Sequence, residues 1–175
     1  SVGVWEKHLV IWNDLRAGQT ETDIYAQWIE LEPVLGRGGP LDNELPDAGT
    51  GYYQAPAQMN QWLAVGIRPG PVGDLDLYLA DGPDYNTVLA SSIFGAGLAD
   101  IVVIDGYQPG PPAYFPYVRH FTGDTYYAIE FAPRATRITA QQPTIPQETL
   151  AAESVLRMFD IYAMPGQLLD IQVAP

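Results

Sequence analysis

The sequence predicts an all-β chain, an antiparallel sandwich of short strands. Three observations carry that expectation. Seventeen glycines and sixteen prolines fall mainly between short apolar runs, as turns punctuate a sheet protein. Long helical periodicity is missing, and proline recurs often enough to break most windows of helix length. One run, Asp74-Leu75-Asp76-Leu77-Tyr78-Leu79, alternates strictly, with three leucines on one face and Asp74, Asp76 and Tyr78 on the other. Hydrophobic residues make up 47% of the 175, enough for a core, so one domain, or one domain with an extra arm, is expected.

His8 to Trp12 reads as the first strand and Asn13 to Gly18 as a turn. Asp23 to Leu31 follows as a strand, with Ile24, Ala26 and Trp28 alternating on one face. Residues 32–56 are rich in Gly, Pro and Asp, too long for an ordinary turn, and read as a loop that is either ordered and functional or mobile. Gln61 to Ile67 is a strand, Arg68-Pro69-Gly70-Pro71 a turn, and Asp74 to Leu79 the alternating strand. A polar loop, Ala80 to Asn86, leads to Val88–Ser92, then to the apolar run Ile101–Ile104. Past the stiff loop Gln108–Pro112, two aromatic-rich strands, Tyr114–Phe121 and Tyr126–Phe131, flank Gly123-Asp124. Residues 1–135 are thus expected to form the sandwich. The Thr, Gln and Pro of the next stretch mark 136–154 as a linker, within which Leu150 to Leu156 reads as a short helical turn or more linker. Residues 155–175 read as a terminal hairpin. Its Gly166-Gln167 and Asp170-Ile171 echo Gly18-Gln19 and Asp23-Ile24, and the central Pro69-Gly70 leading to Asp74-Leu75 has a related layout, which fits three ordinary hairpins of one sandwich, the start of a second repeat, or an arm beyond a complete domain.

The stretch from about Trp62 to Phe131 resembles the bacterial pre-peptidase C-terminal domain. The residues that carry the resemblance are a strand and Pro/Gly turn leading into Gly73-Asp74-Leu75-Asp76-Leu77-Tyr78-Leu79, then Leu89-Ala90-Ser91-Ser92, and a closing Gly123-Asp124-Thr125-Tyr126-Tyr127-Ala128-Ile129. The opening strand and Ala17-Gly18-Gln19 fit the family's first hairpin, which extends the coverage to roughly Leu9–Phe131. The chain departs from the family at residues 32–56, at 105–116 and in the terminal hairpin. The resemblance implies a jelly-roll-like β-sandwich from an exported multidomain protein. It also implies a module without catalysis, of a kind that binds calcium or polymers such as collagen, or serves as a spacer or folding aid.

Charge and motifs exclude several classes. A net charge of −13 disfavours nucleic acid and anionic lipid. No apolar run is long enough to cross a membrane as a helix. The start, Ser1 to Trp5, shows no basic-then-apolar leader, so a signal peptide is expected to be absent or already removed. There are no cysteines, which removes disulfides, thiolate nucleophiles and thiolate zinc sites. No Gly-x-Ser-x-Gly elbow, His-Glu-x-x-His pair or phosphate loop is present. His8 and His120 lie far apart in sequence, in strands, and no pair among the 21 acidic residues is singled out for glycoside chemistry. An enzyme is not expected.

Three sets of residues remain as candidates. Asp74, Asp76, Asp81, Asp84, Asn86 and Asp105 supply hard oxygen donors suited to calcium, with Asp100 near them; they read equally well as solvated turn residues. Phe159, Ile161, Leu169, Ile171 and Val173 are the apolar knobs by which a terminal hairpin would add to a neighbour's sheet edge. Tyr52, Tyr53, Tyr107 and Tyr114, with Tyr117 and Tyr126-Tyr127, sit in or beside loops and strand ends, where tyrosines stack on sugars or anchor an interface, and the first four are the ligand-binding candidates; Tyr78 is assigned to the core. The expected function is an extracellular, non-enzymatic structural module. It would be joined to copies of itself or to neighbouring β-domains by strand addition. The alternative is a calcium-dependent module, accessory to a secreted enzyme, that binds an extracellular polysaccharide or protein polymer.

Overall fold

Strict alternation puts Leu75, Leu77 and Leu79 on one side of a single strand, and the chain is built around that strand. The structure, a computed structural model, describes residues 7–14, 23–30, 35, 40–57, 59–138, 154–161 and 166. Its described elements are all strands: β1 (Lys7–Asp14), β2 (Asp23–Glu30), β3 (Leu41–Glu44), β4 (Thr50–Tyr52), β5 (Ala55–Pro56), β6 (Trp62–Pro69), β7 (Asp74–Ala80), β8 (Val88–Ser92), β9 (Asp100–Asp105), β10 (Ala113–Thr122), β11 (Tyr126–Ala132), β12 (Thr136–Ile138) and β13 (Phe159–Ile161). One antiparallel sheet has the order β4-β10-β7-β8, with β5 also on β10; a second has the order β3-β11-β6-β9. The fold is therefore the antiparallel all-β sandwich that the turn spacing predicts.

The two sheets share one core. Leu75, Leu77, Leu79 and Val118 enter it from the first sheet, and Leu63, Val65, Ile67, Val102, Ile129 and Phe131 from the second. Burial of such side chains contributes about 1.5–3 kcal/mol each against leaving them exposed. Asn43 enters the same core, donating to the Tyr53 hydroxyl at 2.6 Å and the Tyr127 hydroxyl at 3.4 Å, while the two phenols also bond each other. Burial pushes both phenols up from their ordinary value, so they act as hydrogen-bonded core residues.

Residues 32–56 are not one irregular loop: β3, β4 and β5 lie in them and edge the two sheets. At two to four residues each they are too short to show a period in the sequence. β1 and β2 pair over eight positions as their own two-stranded sheet.

The stretch after β11 returns to the body. β12 falls at the head of the segment read as linker, and β13 runs parallel to it. Ser154 to Arg157 crosses the outer face of the second sheet. Glu130 of β11, buried, holds it there: Oε2 accepts from Val155 N at 2.7 Å and Leu156 N at 3.2 Å, and Oε1 from Arg157 at 3.2 Å. Gly66 makes room, because a Cβ there would lie 2.6 Å from the Leu156 side chain. Arg137 and Asp160 tie β12 to β13 at 2.6 Å. Phe159 and Ile161, expected to reach a neighbour, sit on this intrachain strand; Leu169, Ile171 and Val173 and most of the expected hairpin lie outside the described residues.

Candidate functional site: an outer aromatic face

The same alternation that sends the β7 leucines inward sends Tyr78 outward. Antiparallel register sets Tyr117 of β10 between Tyr52 of β4 and Tyr78 of β7, and directly opposed residues share a face. The three rings form a row across three strands. Tyr78 and Tyr117 stack with centroids 4.9 Å apart and planes at 10°, and Tyr52 lies 6.2 Å from Tyr117. Tyr85, in the β7–β8 connection, completes the group at 4.5 Å from Tyr52 and 5.6 Å from Tyr117, and stands edge-on to Phe115 at 6.1 Å.

Local chemistry fixes this loop tyrosine. Its φ is +55°, a left-handed conformation that costs a non-glycine residue about 1–2 kcal/mol. Tyr85 N donates to Gly82 O and its hydroxyl donates to Tyr53 O at 3.3 Å. Asp84 accepts from Asn86 N and Asn86 Nδ2 at 3.3 and 2.8 Å, so the turn holds the strained backbone in place. All five rings keep an exposed or half-buried edge, and the core closes without them.

Charge borders the face. Arg119 is paired across the sheet with Asp76 and lies over the Phe121 ring at 5.4 Å. Asp76 accepts from the Tyr78 hydroxyl at 3.1 Å. Burial raises the Asp76 carboxyl above its ordinary range, and the Asp100 and Asp74 charges add to that, against the lowering effect of the Tyr78 hydrogen bond and Arg119.

The sequence-chosen tyrosines divide. Tyr52 belongs to the face. Tyr53 and Tyr114 lie away from it in the core, at 0% and 5% exposure, because the segments that read as loop ends are paired, β5 on β10 and Tyr53 N to Pro116 O. Tyr78, assigned to the core, lies outside it. Tyr107 stands apart, edge-on to Trp62 at 6.4 Å and accepting from Arg137 at 3.1 Å, on a cleft of about 230 Å³ shared with Asn60, Arg134 and Asp160. Tyr85 and Phe115 were not selected from the sequence, and Tyr117 was noted there only among the tyrosines beside loops and strand ends. The signal that finds Tyr117 is register, since its place opposite Tyr52 and Tyr78 needs the strand pairing.

The acidic candidates are spread out. Asp74 and Asp76 ride on β7, Asp81, Asp84 and Asn86 on the connection after it, and Asp105 at the end of β9 in the other sheet, accepting from Tyr107 N. Among the described residues no three His, Cys, Asp or Glu side chains gather as a metal ion requires. His120 is buried, with Nδ1 accepting from Ala48 N at 3.1 Å and Nε2 3.3 Å from Gly123 O, which pins a turn.

No family model and no curated protein matches the chain. Among solved structures, one similar chain is the pre-peptidase C-terminal domain of the collagenase from Bacillus anthracis. The chain resembles a pre-peptidase C-terminal domain. The match has 13% identity and a TM-score of 0.47, and covers 57% of this chain and 93% of that one. This is the family whose motifs the sequence resembles. The aromatic face, and not that likeness, is what supports a function.

Proposed function

We propose that the chain is a non-catalytic module of an exported protein that holds an extended polymer, polypeptide or polysaccharide, against the outer face of its β4-β10-β7-β8 sheet. One observation carries this reading: Tyr52, Tyr78, Tyr85, Tyr117 and Phe115 are gathered on the side of the sheet that the core does not use. Tyrosines present broad apolar area with a polar tip and few rotors, which suits recognition of a long ligand. The row crosses three strands, about 10 Å at the usual strand spacing, so a single small molecule would leave much of it uncovered. A charge of −13 makes polyanions poor ligands.

Co-sedimentation with a panel of insoluble polysaccharides and fibrous proteins tests it. Retention on one of them is expected, weakened about 30-fold by Tyr117→Ala, the effect of a hot-spot aromatic worth about 2 kcal/mol. Tyr107→Ala, on the separate cleft, leaves retention unchanged. No retention on any polymer, or a folded Tyr117→Ala chain that is retained equally, overturns the reading. Asp76 and Asp84 already accept hydrogen bonds from Tyr78 and Asn86, and among the described residues no three acidic side chains gather, so chelation of calcium is expected to change nothing. Strand addition through 155–175 is the other reading, and no described contact favours it over the pairing of β13 with β12.

A further inference from the structure

The cleft of about 230 Å³ beside Tyr107 lies where β6 begins and β9 ends. Trp62, the first residue of β6, is set there by its pairing with Asp105, the last of β9. Tyr107 follows two residues on. Its N–H donates to Asp105 Oδ1 at 3.0 Å, and its ring stands edge-on to the Trp62 indole at 6.4 Å. Asn60, at φ +60°, donates its N–H to Gly106 O at 2.8 Å and ties the strand that follows it to this turn. Both rings line the cleft, 37% and 46% exposed.

Charge sets this cleft apart from the rest of the surface. The chain has eight basic side chains against 21 acidic ones, and two of the eight, Arg134 and Arg137, line it. Arg137 is held in place: Nε and Nη2 donate to Asp160 Oδ2 at 3.0 and 2.6 Å, and Nη2 also donates to the Tyr107 hydroxyl at 3.1 Å. Its Nη1 donors have no partner among the described residues. Arg134, exposed between β11 and β12, has neither a hydrogen bond nor an ion pair among the described residues. The lining therefore carries two positive charges and the single negative charge of Asp160.

We infer that this cleft binds a sugar acid, one pyranose-sized ring bearing one carboxylate. A guanidinium offers paired, planar donors that fit a carboxylate bidentately, and that of Arg134 is not engaged by the chain's own described acids. The indole of Trp62 and the phenol of Tyr107 supply apolar area for the C–H face of a ring. The side-chain amides of Asn60 and Gln61, also on the lining, supply donors and acceptors for its hydroxyls. Clefts that hold drug-sized ligands run to about 300–1,000 Å³, so this smaller one suits a single unit. The excess of one positive charge offsets one carboxylate, whereas each further one would meet the field of a chain at −13. The site is separate from the outer aromatic face and does not rest on the polymer reading.

NMR titration of the full chain with sodium glucuronate tests this. It is read at the Trp62 indole N–H, which Trp62→Phe identifies among the four tryptophans. A saturable shift is expected. Glucose, which lacks the carboxylate, and sodium chloride at equal ionic strength should not produce it. Arg134→Gln removes the charge and the fork at an exposed position and should weaken binding about tenfold or more, with the rest of the spectrum unchanged. Arg134→Lys restores the charge as a point without the fork and should recover only part of the affinity. Benzoate should bind more weakly than glucuronate, because it has no hydroxyls for the two amides. The absence of a saturable shift with glucuronate, an equal response to glucose, tighter binding of benzoate, or an Arg134→Gln chain that binds as well as the parent overturns the proposal.

Discussion

Asp76 shows how one residue is placed by two demands. Alternation sets it on the outer face, and the neighbouring Tyr78 and Arg119 close over it. Its carboxyl is raised on folding, first by burial. A carboxyl raised on folding takes up a proton on folding at pH values between its unfolded and folded pKa. Its contribution to stability is therefore present at acid pH and is lost as pH rises through the folded value. Asp76→Asn keeps an acceptor for the Tyr78 hydroxyl and removes the charge, so at pH 7 it should raise the melting temperature, with the gain fading below the ordinary carboxylate range. Thermal melts of both chains across pH 3–7 (roughly the carboxylate window) read this directly. At Asn43 the sign is opposite. Asn43→Ala removes the donor to two buried phenols and should cost about 1–3 kcal/mol in urea denaturation.

Among elements, the strands with a long period were legible and the short ones were not. β7 shows its two faces in the sequence because the six residues Asp74–Leu79 alternate without interruption. β3, β4 and β5 are paired through a Gly/Pro-rich stretch whose order comes from neighbours far along the chain, Tyr117 and Tyr126 among them. Tyr52 and Tyr117 could each be noted in the sequence as tyrosines beside loops and strand ends, but the face they share with Tyr78 exists only once the register is known. Likewise the outer cover at Ser154–Arg157 depends on Glu130, 25 or more positions earlier, which no local pattern announces. Glu130→Ala leaves two backbone N–H groups without their acceptor and should cost about 1.5–3 kcal/mol. Amide exchange at Val155 and Leu156 should quicken with it. Gly66→Val should loosen the same segment by steric contact with Leu156.

For the molecule as a whole, the sheets divide the work. Their inner faces close one core, the outer face of the second sheet is crossed by residues 154–157, and the outer face of the first is aromatic. Among the described residues that asymmetry leaves an aromatic surface bordered by charge, which is the surface the proposed function assigns to the polymer. The proposed function requires the tyrosines of the outer face, and not those of the core, to meet the polymer. The measurement that tests it most directly is a tyrosine ring NMR titration with a soluble oligomer of whichever polymer retains the chain. The rings of Tyr52, Tyr78, Tyr85 and Tyr117 should shift together, while Tyr53, Tyr114 and Tyr127 of the core hold still. Shifts confined to Tyr107 beside Trp62, or the four face tyrosines unmoved at saturation, would contradict the account.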